Sequence, residues 1–324
     1  MSKYKNALFP IYQILKEHTD NETYLTQPEI LSKLSQQYQI SIDRRTLYDH
    51  VAYLNHYGIE VETFQENRKG YKLLTRTFEK EEVAILIHLL QGASFIPKHL
   101  TKELIRKVLH TQSKNDQKSL RLHPLVYQAH KTGNKQLINA TLEIIDAIKG
   151  DYPISVDYLR YNIDKKLQSR REKPYILHPY YIVNWNERLY LICSHDSYQS
   201  IAFYRIDKMR NVKILDKQVR QPLDQELDPY SYVARRPYMF QGEMLECSLR
   251  CHIKILDDVI DEFGQEVFIT QEEPDYFIMR LKITKTGLLY WVAQFHDAIE
   301  VLEPKQLRQD YKEILEKTLS LYQN

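Results

Sequence analysis

The chain is poor in the residues that build several familiar kinds of site. Only 8 of its 324 residues are glycine, so there is little scope for a loop that cradles phosphate on bare backbone amides. No Gly-rich nucleotide loop, His-Glu-x-x-His or Gly-x-Ser-x-Gly pattern occurs. Three cysteines, Cys193, Cys247 and Cys251, are too few for a disulfide framework and point to a reducing cytoplasm. Cys247 and Cys251 lie four apart on a predicted strand, about 13 Å by strand rise, which makes a poor metal pair. The histidines are scattered without ligand spacing. No apolar run could span a bilayer, and the opening Met-Ser-Lys-Tyr-Lys-Asn has no signal-peptide core. The expectation is a cytoplasmic protein that binds rather than catalyses, with no metal and no cofactor.

Charge of one sign is also lacking. The net charge is +2, but it is unevenly spread. From Lys98 to Lys135 there are nine Lys/Arg against two acids, and from Glu243 onward nine against sixteen. The middle can meet polyanions or simply carry solvated helices, whereas the acidic C-terminal part is unsuited to DNA. Tyrosine is abundant, at 25 residues. It suits half-buried packing and also the stacking of bases.

The N-terminal pattern predicts three helices and a hairpin. Tyr4 to His18 has Leu8, Ile11, Tyr12 and Leu15 on one side. Thr26-Gln-Pro-Glu29 reads as a second helix start, with a Thr cap, an early Pro and a Glu three residues on. Ile30, Leu31 and Leu34 supply that helix's apolar face. In the third helix Ser41 or Asp43 can cap the start and Gly58 the end. Leu47, Val51 and Leu54 form its buried stripe, leaving Arg44, Arg45, Tyr48, Asp49, Ala52, Tyr53 and His56 on other faces. Alternation over Ile59–Phe64, a polar turn over Gln65–Lys69 and a returning strand over Gly70–Leu74 complete a winged helix-turn-helix. In such a unit Arg44, Arg45, Thr46 and Tyr48 enter the major groove, and Arg68 and Lys69 on the wing meet backbone or minor groove.

Helical periodicity continues over Val83, Leu86, Ile87 and Leu90, then roughly 98–112, 117–131 and 134–149. Lys98, Lys102, Arg106 and Lys107 share a basic face able to flank DNA. At Asp151-Tyr-Pro the period changes to two. Five short strands follow, around Ile154–Lys165, Tyr175–Trp185, Arg188–Cys193, Ile201–Met209 and Val212–Ile214, with a turn at Asn186-Glu187; they predict a small, strongly bent sheet or barrel. The segment 221–242, with three prolines, reads as a connector in which Arg235 and Arg236 face DNA-side domains or sit in a solvated loop. From Met244 the order strand, helix, strand, strand, helix, strand is the split βαβ, ferredoxin-like arrangement, with a last helix over 305–322.

These segments resemble, in order, the parts of WYL-domain transcriptional regulators with a DeoR-type helix-turn-helix. The carriers are Arg45-Thr46-Leu47 through Gly58-Ile59, Gly70-Tyr71-x-Leu73, the Glu-Glu-Val-Ala-Ile-Leu-Ile-His-Leu-Leu run, His178-Pro179, Asn184–Leu191, Tyr204-Arg-Ile-Asp-Lys-Met209 and Gly287–Arg308. Three departures stand out. Asp49-His50 replaces the family's Arg-Asp, Leu189-Tyr190-Leu191 replaces Trp-Tyr-Leu, and His296 replaces a Gly.

The resemblance implies an α+β multidomain chain: a winged helix-turn-helix over 1–76, a helical linker and dimerisation region over 77–150, and a WYL domain of Sm-like barrel form over 151–220. A connector over 221–242 and a ferredoxin-like WYL extension over 243–324 complete it. It further implies a homodimer on a double-stranded DNA operator, with a WYL pocket that senses a single-stranded nucleic acid or nucleotide. Tyr158, His178, Tyr190 and Arg205 are the candidate effector contacts, with Lys165, Lys166, Arg170 and Arg171 as a possible basic rim. Each has a plainer role open to it: Arg205 can pair with Asp207, His178 can cap a turn, the tyrosines can be core and the rim can be solvated charge. A nucleic-acid sensor or scaffold in a multiprotein system, for example one of defence, with its helix-turn-helix used for protein contact, is the competing expectation; Asp49-His50 and the near-neutral N-terminal domain keep it open.

Overall fold

The structure, a computed structural model, describes residues 7–122, 130–195, 198–223 and 228–323. They fall into two compact units divided between Lys135 and Gln136.

The first unit opens with α1 (Leu8–His18), α2 (Gln27–Tyr38) and α3 (Arg44–His56). The expected extension of α1 back to Tyr4 lies outside the described residues. Each start is locally encoded. Thr26 and Glu29 close a reciprocal capping box on α2, and Asp43 accepts the Thr46 N–H at 2.7 Å on α3. Gly58, with φ +80°, ends α3 in the left-handed conformation that a side chain resists. Ile11, Ile14, Leu15, Ile30, Leu34, Leu47, Val51 and Leu54 are buried in one core, so the predicted stripes do face inward.

Strands β1 (Val61–Glu62) and β2 (Lys72–Leu73) pair antiparallel. The end of the strand expected over Ile59–Phe64 and the polar turn after it form instead a helical turn, α4 (Phe64–Asn67), whose start is a second capping box between Thr63 and Glu66. Gly70 follows, in close contact with the chain at Leu25: a Cβ there would sit 2.6 Å from the Leu25 carbonyl oxygen. That approach lets Tyr71 and Leu25 exchange backbone hydrogen bonds at 2.7 and 3.0 Å and closes the hairpin onto the helices.

Helices α5 (Lys80–Gly92), α6 (Lys98–Leu109) and α7 (Lys114–Leu122) follow. They share a small core of Val83, Ile87, Leu109 and Leu120. The remainder of the helix expected over 117–131 lies, up to residue 129, outside the described residues. Asp20, at the end of α1, ties this part to the first three helices. Its carboxylate accepts from the Glu22 and Thr23 amides, from Ser113 Oγ at 2.9 Å and from Asn115 Nδ2.

The second unit begins with α8 (Leu137–Lys149). The sequence pattern groups α8 with the preceding helices, but here it packs on the sheet that follows, with Ala140, Ile144 and Ala147 buried and β8 and β5 as its neighbours. Small residues let the helix lie close to strands. The sheet comprises β3 (Ile154–Tyr161), β4 (Leu167–Ser169), β5 (Tyr175–Trp185), β6 (Arg188–His195), β7 (Tyr198–Arg205) and β8 (Met209–Ile214). Its order is β4-β3-β5-β6-β7, with β8 also on β3. Strand β4 occupies what the pattern leaves as loop. Asn186 and Glu187 both have positive φ and turn β5 tightly into β6. Pro179 cannot donate to a ladder, and the β5–β6 register shifts there, between Pro179 and Tyr181.

A short helix α9 (Pro229–Ala234) leads to the last sheet: β9 (Met244–His252), α10 (Leu256–Phe263), β10 (Phe268–Glu273), β11 (Tyr276–Thr284), α11 (Lys285–Val292), β12 (Ile299–Glu303) and α12 (Lys305–Ser320). The all-antiparallel order β10-β11-β9-β12 is that of a split βαβ sheet. Its core gathers Leu249, Val259, Phe277, Met279, Leu288, Trp291 and Leu307. Among the described residues, no helix is long and apolar enough to cross a membrane.

Candidate functional site

Two groups of expected site residues can be followed in the structure. On α3, Arg44, Arg45, Tyr48, Asp49, Ala52, Tyr53 and His56 are all exposed. Thr46 is half-buried and engaged: its amide and hydroxyl both bond Asp43, holding that carboxyl below its usual range. Thr46 therefore fastens the helix start and has little left to offer a base. His50 is buried beside the apolar stripe, so only Asp49 of the Asp-His pair reaches the outer face. On the hairpin, Arg68 is exposed with φ +59°, closing α4, and Lys69 is exposed with Nζ 5.2 Å from the centre of the Tyr24 ring. Lys72 approaches the same ring at 5.0 Å while pairing with Glu62. On α6, Lys98, Lys102, Arg106 and Lys107 are exposed, and Lys107 pairs with Glu103 at 2.7 Å.

In the second unit the structure brings three of the four expected effector residues together. Tyr190 on β6 lies directly opposite Arg205 on β7, and the Arg205 amide donates to the Tyr158 hydroxyl at 3.2 Å. Tyr158 also packs edge-on against Tyr204, with ring centres 4.8 Å apart. Burial pushes Tyr158 and Tyr204 up to about 12 and raises Tyr190 too. These phenols are neutral hydrogen-bonding groups at any physiological pH.

At the centre lies Asp207, only 3% exposed. Arg205 forks onto it, Nε to Oδ1 at 2.9 Å and Nη2 to Oδ2 at 2.7 Å, and Arg188 approaches Oδ2 at 3.8 Å. Burial alone would lower the Arg205 pKa, but the fork outweighs it and the guanidinium ends above its ordinary value. Lys208 is lowered, chiefly by burial and then by Arg205, Arg188 and Arg170 nearby. The cluster thus gathers Arg188, Arg205 and Lys208 at a buried carboxylate, with Arg170 near Lys208 and phenols alongside. Such a group attracts anions and can stack or hydrogen-bond planar ones.

His178 lies apart from this cluster. It pairs with Ser194, four positions along β6 from Tyr190 and so about 13 Å away by strand rise. It is buried, and its Nδ1 accepts the Gln221 amide at 3.1 Å, which anchors the start of the connector. Arg220 reinforces that anchor through the Pro179 carbonyl at 2.6 Å. Of the basic rim, Arg171 stacks on Tyr175 at 3.5 Å and binds the Lys173 and Pro174 carbonyls. Lys165 and Lys166 sit exposed at the β3–β4 turn. Sequence reasoning missed Arg188 and Lys208 as members of the cluster. Arg188 shares strand parity with Tyr190, which is the signal that could have found it.

Two stretches of the second unit coincide with known domains. Residues 139–214 match the WYL domain and residues 243–319 the WCX domain, so the chain carries both. The WYL match begins inside α8, in keeping with the packing of that helix. Among solved structures, similarity extends to Proteasome accessory factor B/C (PafBC) of Arthrobacter aurescens, at 12% identity and a TM-score of 0.28 over 95% of this chain and 45% of that one. A second is described as a CRISPR Cas-related protein, at 13% identity and a TM-score of 0.36 over 99% of this chain and 92% of that one. This chain therefore spans less than half the length of the PafBC chain. No curated protein matches it.

Proposed function

We propose that the protein is a cytoplasmic, homodimeric, DNA-binding transcription regulator that responds to a nucleic-acid or nucleotide effector and acts by binding, without catalysis. The first unit is read as a winged helix-turn-helix. The observation that carries this reading is the outer face of α3, where Arg44, Arg45 and Tyr48 stand exposed next to the buried stripe, together with exposed Arg68 and Lys69 on the hairpin. Arg44 and Arg45 supply fork-shaped donors for guanine or phosphate, and the wing supplies backbone contacts. The effector is assigned to the cluster of Tyr158, Arg170, Arg188, Tyr190, Arg205 and Lys208, whose cations outnumber its one carboxylate. Effector binding shifts the dimer between two arrangements of its DNA-binding units, and so alters operator affinity.

The test is fluorescence anisotropy on the duplex upstream of the protein's own gene and on a scrambled duplex, with and without a short single-stranded DNA. Preference for the upstream duplex, changed by the single strand, is the expected result. Arg44→Ala and Arg45→Ala should each reduce the slope of log affinity against log salt by about 1 if both meet phosphate. Identical operator binding with and without effector refutes the sensing half. Equal binding of both duplexes leaves a distant operator or the second reading, and shifts the weight to the latter, a scaffold whose helix-turn-helix meets protein. The latter draws on Asp49 and the exposed Tyr48 and Tyr53 on the same helix.

A further inference from the structure

The proline-rich segment before β9 holds a buried cation that the sequence places in a solvated loop. Arg236 is 8% exposed. Its guanidinium lies over the Tyr232 ring, 3.4 Å from the centre, and Nη1 donates to the Tyr232 carbonyl at 2.9 Å. Among the described residues no carboxylate pairs with it, and burial holds its pKa below the ordinary arginine value. An arginine stays charged nonetheless, and a buried charge without a counter-ion is costly. The contrast with Arg205 is direct: that fork is spent on Asp207, whereas the Nε and Nη2 of Arg236 have no such partner among the described residues.

The same guanidinium lines an open cleft of about 420 Å³ together with Ser200, Ile201, Tyr232, Gln241 and Gly242. None of these is acidic. The volume is within the range of small-molecule sites. Ser200 and Gln241 offer neutral hydrogen-bonding groups and Ile201 an apolar wall. A guanidinium edge matches two phosphate oxygens, and with no acid among these lining residues a dianion is favoured over a single carboxylate. We propose that this cleft binds a small phosphate monoester, with its phosphate forked by Arg236 and its organic part in the cleft beside Ile201.

The position gives such a ligand leverage. Val233 and Met239 bury against Ile192 of the WYL sheet. The Arg235 carbonyl accepts the Thr284 amide at 3.3 Å, and Pro237 lies so close to Gly287 that a Cβ there would meet its carbonyl oxygen at 3.0 Å. The cleft therefore stands where the connector joins the WYL sheet to the WCX domain. It is four residues along β7 from Arg205, about 13 Å by strand rise, and its occupancy does not depend on the DNA-binding reading.

The experiment is isothermal titration of the full chain with phenyl phosphate, and with benzoate as the carboxylate counterpart, in chloride buffer of matched ionic strength. Saturable binding of phenyl phosphate, at least about tenfold tighter than benzoate, is expected. Arg236→Met should weaken it about 10- to 100-fold, as loss of charged hydrogen bonds does, with Arg236→Lys between. Ser200→Glu adds a carboxylate from an exposed position without touching Arg236 and should also weaken it at least about tenfold. That variant keeps the test decisive if Arg236→Met fails to fold. No binding, equal binding of benzoate, or undiminished binding in Ser200→Glu overturns the proposal. So does a loss in Arg205→Met as large as that in Arg236→Met, which would move the site to the Asp207 cluster.

Discussion

Asp207→Asn should lower the stability of the second unit while tightening its hold on polyanions. Asp207 is buried and receives two charged hydrogen bonds from Arg205. The substitution keeps the shape and one acceptor oxygen but removes the carboxylate on which Arg205 and Arg188 converge. Deleting one partner of a buried pair costs about 3–5 kcal/mol, and the retained acceptor puts Asn near about 3. For a unit of this size each kcal/mol moves the midpoint by about 2–4 °C, so a fall of about 6–12 °C is expected. The assay is selective because both tryptophans of the chain, Trp185 and Trp291, belong to this unit. Their fluorescence follows its unfolding whatever the first unit does.

The binding consequence has the opposite sign. Neutralising a charge roughly 8 Å from a bound anion is worth about 1–2 kcal/mol after salt screening, or about 5- to 30-fold in affinity. Single-stranded DNA should therefore bind Asp207→Asn more tightly, and the gain should shrink as salt rises. A variant that loses stability and also loses DNA binding would refute this reasoning, because it would mean that Asp207 orients Arg205 for the ligand and does not compete with it. A midpoint unchanged within about 2 °C would show that the pair contributes little to the fold.

Two further outcomes concern the first unit. Gly70→Ala should destabilise it by more than about 1 kcal/mol, since a Cβ at that position meets the Leu25 carbonyl, which is backbone and cannot swing away; far-ultraviolet circular dichroism on heating would check this, and an unchanged melt would exclude the close approach. Burial alone would raise the Asp20 pKa, but hydrogen bonds from Glu22, Ser113, Thr23 and Asn115 prevail and hold the carboxyl below its usual value. A depressed folded pKa adds stability that is present above the unfolded value of about 4 and fades as pH falls through the folded one. Urea unfolding from pH 7 to pH 3 should show that loss in the parent and a flatter profile in Asp20→Asn, and parallel profiles would remove Asp20 from the acid response.

What could be read from the sequence was what neighbouring residues encode. The start of α3 lies in Asp43, its end in Gly58, and its inner face in Leu47, Val51 and Leu54; all three signals act within one helix. The turn at Asn186-Glu187 is equally local. The Thr63–Glu66 capping box is just as local, but it straddles the expected strand over Ile59–Phe64 and the expected turn over Gln65–Lys69. Other features depend on packing partners far along the chain. The allegiance of α8 is decided by β8 and β5, because Ala140, Ile144 and Ala147 would serve a helical bundle as well. The isolation of His178 from Tyr190 and Arg205 follows from strand register, which periodicity of two leaves undetermined. The burial of Arg236 rests on Tyr232 and on a cleft that forms only when the connector folds back on β7.

The state of Arg205 bears on what kind of effector its cluster can admit. Its fork is already satisfied by Asp207, so a ligand with a single weak charge would have to displace a buried carboxylate in exchange for bonds no stronger than those it breaks. Arg170, Arg188 and Lys208 carry the excess positive charge, and Lys208 is destabilised in its charged form by burial and its cationic neighbours. A multiply charged ligand relieves that repulsion without opening the Arg205–Asp207 pair, and the Tyr158 and Tyr190 hydroxyls stand beside it as neutral donors. The expected order of affinity is therefore oligonucleotide above mononucleotide above nucleoside. Isothermal titration with each of the three would rank them, and a nucleoside that binds as tightly as an oligonucleotide would show that stacking, and not charge, governs the cluster.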